Sequence, residues 1–184
     1  MSRWEPDARG RMIRAAMDLF AERGFDHTTA VDIAERAGVT ERTFFRHFAD
    51  KREVLFDGSQ ALEQAASTAI LAAPASSGPL DAALAGVIAA GGLLEDRREH
   101  AVRRNLLVEA NPGLRERELL KLTALVDATA EALRTRGVDD LIAALAAHSA
   151  VTVFQLAFTR WVSEERPPAL AACIADTAAL LRAL

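Results

Sequence analysis

The residues best equipped for chemistry lie in the run TERTFFRHFADK, from Thr40 to Lys51. Arg42 and Arg46 carry planar guanidinium forks that can pair bidentately with a guanine edge. Thr40 and Thr43 can donate, accept or touch a thymine methyl, and Phe45 can do the last of these. Lys51 can reach a phosphate. So can Thr29, together with the amide groups at the start of the helix it would cap. Glu41 reads either as a solvated acid that the helix dipole favours or as an acceptor for cytosine. A catalytic reading has much less to stand on. His27, His47, His100 and His148 are scattered, and no serine elbow, phosphate loop or HExxH motif is present. Asp96 and His100 fall at i, i+4, a spacing better suited to a surface ion pair than to a metal. The lone Cys173 rules out an intrachain disulfide and a multi-cysteine zinc site. We therefore expect no enzyme activity, no metal and no cofactor.

Short helices must hold such a set in place. Ile13, Ala16, Met17 and Phe20 mark one face of a first helix over 7–23, and Gly24 suits a left-handed end with Phe25 folding back. Thr29 and Asp32 form a capping box for a second helix over 29–37, and Thr40 caps a third. Ala34 is small where two helices would touch, Gly38 tolerates positive φ at the turn, and Ile33, Ala37, Val39, Phe44 and Phe48 would face a core. This is the spacing of a helix-turn-helix. Asp50 with Glu53 predicts a further capping box, opening one long helix over 51–73.

With those positions assembled, TTAVDIAERAGVTERTFFRHFADKREVL and the preceding RMIRAAMDLFAERGF closely resemble the DNA-binding region of the TetR family of bacterial transcriptional regulators, over about 11–55. The resemblance implies that Thr29 is a helix-cap phosphate contact, that Thr40, Arg42, Thr43 and Arg46 face bases, and that His47 and Lys51 contact the backbone. One position departs. Family members commonly carry a tyrosine where this chain has Phe45, which cannot give a phosphate a hydroxyl. Phe45 is expected to touch a thymine methyl or sugar, or to pack without touching DNA.

Beyond residue 52 the chain again reads as helix, over about 80–94, 97–110, 114–136, 140–165 and a last stretch to 184, with PASSGP at 74–79 as the clearest linker. The expected fold is all-α, an N-terminal three-helix helix-turn-helix domain (1–52) joined to a C-terminal helical ligand-binding and dimerisation bundle (53–184). The second role is what the resemblance implies. Hydrophobic residues at 51% and charged ones at 26% suit a packed core. Residues 1–52 carry 10 Lys/Arg against 9 Asp/Glu, and the remainder 12 against 17, so the net −4 arises beyond the motif. No Asp, Glu, Lys or Arg occurs over 141–159, a length that would suit a membrane span. The alanines and the polar His148, Thr152, Gln155 and Thr159 favour instead a helix buried against its own domain and a partner subunit. Those four residues make a stripe, either a seam at a subunit interface or a pocket wall. Leu170, Ile174, Leu180 and Leu181 would complete a four-helix interface across a two-fold axis.

Effector candidates are Leu84, Val87, Ile88, Leu106, Leu107 and Leu125, each equally readable as core, with His148, Thr152 and Gln155 as polar anchors. Arg103, in the cluster of Arg97, Arg98, Arg103 and Arg104, lies on a solvated face or receives an anionic group. Gly91-Gly92 either loosens a helix beside a ligand or ends it. The run RRNLLVEANPGLRERELL is similar to an actinobacterial subset that includes regulators of the mycofactocin system, which implies acyl-CoA-like ligands. The expected molecule is a homodimeric repressor on a near-palindromic double-stranded DNA operator, released by a small apolar effector. The rival is a ligand-independent architectural DNA binder. With no apolar leader near the start, a cytoplasmic protein without membrane attachment is expected.

Overall fold

The computed structural model describes residues 7–184; the opening residues read above for a leader lie outside them. Nine α-helices occur among the described residues, and no strand. They are α1 (Ala8–Arg23), α2 (Ala30–Arg36), α3 (Glu41–His47), α4 (Ser59–Ala72), α5 (Pro79–Gly92), α6 (Arg98–Ala110), α7 (Pro112–Thr135), α8 (Asp140–Ser163) and α9 (Leu170–Ala183). The chain forms two compact units. One combines α1–α3 and the turn to Asp57 with Arg103–Glu118; the other combines Gly58–Val102 with Leu119–Leu184. The first unit therefore draws on chain from both sides of the expected 52/53 boundary.

In the first unit, Asp7 caps α1 by accepting from Gly10 N at 2.9 Å. Met12, Ala16 and Phe20 on the buried face are at most 2% exposed. Gly24, at φ 80°, ends the helix, and the Phe25 ring folds back to 5.2 Å from Phe20. Gly38 takes φ 67° at the turn between α2 and α3, which a side chain would strain. Ile33, Ala34, Phe44 and Phe48 are buried there, while Val39 is only half-buried. Val108 and Leu114, 1% and 0% exposed, belong to this same core.

The single helix expected over 51–73 is divided. Asp50 does accept from Arg52 N at 2.7 Å and Glu53 N at 3.3 Å, but these bonds open a short 3₁₀ turn, Glu53–Phe56. Val54, Leu55 and Phe56 are all buried, and three consecutive side chains cannot share one face of an α-helix. Gly58, at φ 92°, then breaks the path before α4 begins. By contrast, one residue separates α6 from α7. Asn111 gives its side-chain amide to Leu107 O at 2.7 Å, and Pro112 opens α7, where a missing N–H costs nothing.

The second unit is built on close approaches to α5. A Cβ at Gly86 would stand 2.7 Å from Ile70 Cγ1, so glycine is what lets α4 come so near. Gly91 similarly admits Ile174 of α9, and α5 ends one residue later at Gly92. Arg136 closes the end of α4 by donating to Ile70 O, Ala73 O and Pro74 O at 2.9, 2.6 and 2.8 Å. By length and composition α8 could cross a membrane. Its alanines 143, 147, 150 and 157 are fully buried in the core of this unit.

Candidate nucleic-acid interface

Helix α3 is short, seven residues, and its ends are fixed by the residues around it. Thr40 accepts from Thr43 N at 3.2 Å, and the two hydroxyls lie 2.9 Å apart. Phe44 and Phe48, four residues apart, bury the opposite face with ring centroids at 5.5 Å. What remains outward is Glu41, Arg42, Phe45 and Arg46, with Thr43 and His47 half-buried beside them. Phe45 is 50% exposed, with its ring perpendicular to that of Phe44 at a centroid distance of 5.3 Å. Arg42 and Arg46, at i and i+4, form one row along the helix.

Charge pairing separates these two arginines from the others nearby. Arg36 makes a two-point bridge to Glu22 at 3.0 and 2.8 Å. Arg36's hydrogen bond holds the Glu22 carboxyl below its ordinary value, so the acid stays ionised. Arg14 meets Asp7 and Arg23 meets Asp32, each at 3.6 Å; Arg52 meets Asp50 at 2.6 Å and Arg9 meets Asp57. Arg11 donates to Ala37 O. Arg42 and Arg46 have no hydrogen-bond or ion-pair partner among the described residues. Arg9, Arg14, Arg23 and Arg36 of α1 and α2 thus each meet a carboxylate, while the outward arginine row of α3 meets none among the described residues.

Thr29 and Lys51 are already occupied. Thr29 donates its hydroxyl to Asp32 at 2.6 Å and its N–H to the same carboxylate at 2.8 Å, while Asp32 N returns to Thr29 Oγ1 at 3.1 Å. The hydrogen bond from the Thr29 side chain, then that from its backbone, lowers the Asp32 carboxyl. Lys51 is half-buried, and its ammonium donates to Phe25 O at 2.7 Å and Thr28 O at 2.8 Å.

The effector candidates fall into three environments. Leu84, Val87 and Leu125 lie in the buried core of the second unit, with Ile88 half-buried against it. Leu107 packs on the core of the first unit, where Arg103 donates to Asp18 at 3.2 Å; Leu106 is 63% exposed. His148, Thr152, Gln155 and Thr159 all lie on the exposed side of α8. Leu141, Leu145 and Leu156, each more than half exposed, share that helix, and Leu180 of α9 is 70% exposed. Sequence reasoning missed Thr129. It is fully buried, and its hydroxyl has no partner among the described residues. In the same helix, Thr123 and Thr135 instead bond back to the carbonyls four residues before them, at 2.9 and 3.0 Å. The signal was one polar residue flanked by Leu125, Val126, Ala132 and Leu133. Cys173 is buried, and that burial pushes its thiol up, away from nucleophile chemistry. No group of three or more His, Cys, Asp or Glu that could hold a metal occurs among the described residues.

Helices α1–α3 with the Gly38 turn define a helix-turn-helix protein. Residues 12–57 match the model of the bacterial regulatory proteins of the TetR family, and residues 77–184 match that of the MftR C-terminal domain. The chain belongs to the TetR family of transcriptional regulators, with a C-terminal domain of the MftR type. It is 39% identical over 112 residues to the HTH-type transcriptional regulator TcmR of Streptomyces glaucescens, an alignment covering 58% of this chain and 50% of that one. The chain thus spans about half the length of that curated relative. The crystal structure of Thermus thermophilus FadR in complex with lauroyl-CoA aligns with a TM-score of 0.58 at 26% identity, over 95% of this chain and 93% of that one. A transcriptional regulator from Pseudomonas aeruginosa PAO1 shares the fold, with a TM-score of 0.65 at 18% identity, covering 99% and 92%.

Proposed function

We propose that this protein is a homodimeric repressor that holds a near-palindromic DNA operator and releases it on binding a small apolar effector. The observation that carries the DNA-binding half is the row of unpartnered guanidinium groups, Arg42 and Arg46, on a helix anchored from behind by Phe44 and Phe48. Rigid backing with free donors in front is what a helix entering a major groove needs. Thr40 and Thr43 sit beside the arginines for base contact. Phe45 offers its exposed ring to a thymine methyl, the backbone amides at the start of α2, behind the Thr29 cap, meet a phosphate, and His47 adds a backbone contact.

Dimerisation is supported by Leu141, Leu145 and Leu156 on α8 and Leu180 on α9, large apolar side chains that a second copy would cover. His148, Thr152, Gln155 and Thr159 would be the polar seam of that interface. The effector is proposed to enter the second unit among Leu84, Val87, Ile88 and Leu125. An apolar body suits these side chains, and the FadR relative was crystallised with lauroyl-CoA. Membrane attachment forms no part of this reading, and the protein is proposed to act in the cytoplasm.

Selection of bound duplexes from random sequence, followed by titration with lauroyl-CoA, tests the whole reading. A near-palindromic consensus whose complex dissociates with the acyl-CoA is the expected result. Binding without sequence preference, undisturbed by the acyl-CoA, would favour the architectural alternative.

A further inference from the structure

Two polar residues are fully buried among the described residues, Thr28 and Thr129. Thr28 donates its hydroxyl to Gly24 O at 2.9 Å. The hydroxyl of Thr129, in α7, has no hydrogen-bond partner among the described residues. The helix does not force this. A helical threonine can turn its hydroxyl back to the carbonyl four residues before it. Thr123, Thr135, Thr159 and Thr177 all do so, at 2.9, 3.0, 3.0 and 2.8 Å. Thr129 forgoes that bond, and its hydroxyl stands among the side chains of the core instead.

Thr129 sits in the middle of the buried stripe of α7. Leu122, Leu125, Val126, Ala132 and Leu133 lie three, four or seven residues from it, and all pack in the core of the second unit. Such a stripe needs no oxygen, since valine would fill the same volume and bury nothing polar. Leu125, one turn before Thr129, belongs to the proposed effector set. The hydroxyl therefore adjoins the apolar side chains to which the effector body is assigned. A hydroxyl carries one donor and two acceptor positions, and an unmet buried donor is tolerated less well than an unmet acceptor. What this position lacks is an acceptor oxygen.

We infer that Thr129 is a specificity-determining residue of the effector site, donating its hydroxyl to a carbonyl oxygen carried by an otherwise apolar effector. This deepens the effector reading above and rests on it. In the free protein the orphaned hydroxyl is destabilising. A bound carbonyl removes that penalty, whereas a methylene of similar shape leaves it in place. The site therefore selects by one oxygen among ligands of equal apolar bulk. Stability and recognition are opposed at this residue, because the valine that suits the core better is the one that loses the carbonyl.

The test titrates the free protein, by calorimetry, with lauroyl-CoA and with S-dodecyl-CoA, whose thioether has a methylene in place of the carbonyl. Wild type should bind lauroyl-CoA about tenfold more tightly than the thioether. Thr129→Val should bind the two alike, losing affinity for lauroyl-CoA alone, while its melting temperature rises by roughly 2–4 °C. Thr129→Ser should keep the preference. A merely structural threonine would instead lose both ligands together on substitution. If Thr129→Val fails to fold, Thr129→Ala gives the same comparison of ligands. Equal binding of the two ligands by wild type would overturn the inference, as would a preference that survives in Thr129→Val. Equal binding with release of DNA by both would leave the proposed function standing. If wild type binds neither, the acyl-CoA reading falls, and thermal shifts with 2-octanone and octane decide. A rise with the ketone alone that Thr129→Val abolishes supports the hydroxyl's role, and any other result overturns it.

Discussion

Arg42 and Arg46 carry the heaviest share of the proposed recognition. Alanine at either should weaken operator binding by about 1–3 kcal/mol and relax base preference at the paired positions. Fluorescence anisotropy against operator and unrelated duplexes measures this; equal losses on both duplexes would mean that the arginines touch only phosphates. Phe45 can be decided in the same assay, since Phe45→Ala that keeps full affinity would leave the ring a packing group only. Thr129 is a residue-scale question of another kind. A buried hydroxyl without a partner costs about 1–3 kcal/mol, so Thr129→Val, which keeps the shape, should raise unfolding free energy by up to that amount. A less stable Thr129→Val in urea denaturation would mean that the hydroxyl has found a partner after all.

At the scale of elements, helix ends are controlled by single charged or polar groups. Asp32 closes the cap of α2, and its carboxyl is lowered by the Thr29 hydrogen bonds. A lowered folded-state value stabilises fully above the ordinary carboxylate value of about 3.9, and that contribution disappears as pH falls through the folded value. Asp50 is lowered in the same sense and adds to the same acid limb. Asp32→Asn should therefore make stability less dependent on pH below about 4, read by circular dichroism melts across that range; an unaltered acid limb would remove Asp32 from the account. Arg136 seals the end of α4 through three carbonyls, and Arg136→Ala should cost about 2 kcal/mol or more of stability. Much at this scale is legible in sequence, because capping is local. Thr29 with Asp32, Thr40, Gly24 and Gly38 each act within four residues. Gly58 was the exception. Periodicity alone carries a helix through 51–73, whereas three adjacent buried side chains and one positive φ divide it.

At the scale of the whole molecule, local rules lose their hold. The bond from Arg136 to α4 joins groups more than sixty positions apart. The need for glycine at 86 arises only when Ile70 is brought against it. Neither leaves a pattern in its neighbourhood. Arg42, Thr43, Phe45 and Arg46 fall together because they occupy one short helix of repeating geometry, whereas the effector candidates fall on different helices and in different units. The exposed leucines of α8 carry the proposed dimer contact. Leu145→Glu combined with Leu156→Glu should yield a monomer in sedimentation velocity and lower operator affinity. A dimer that persists would place the subunit contact elsewhere.

Val108 and Leu114, fully covered in the core that contains Phe20 and Phe44, have a consequence for how the protein is made. The ribosome synthesises the recognition helix more than sixty residues before it supplies these two side chains. The nascent N-terminal unit must wait, incomplete, until the chain has grown past residue 114 and the tunnel has released it. A fragment ending at Asp57 should accordingly be cut rapidly by protease. Transplanting these helices into another regulator would require bringing the later segment with them.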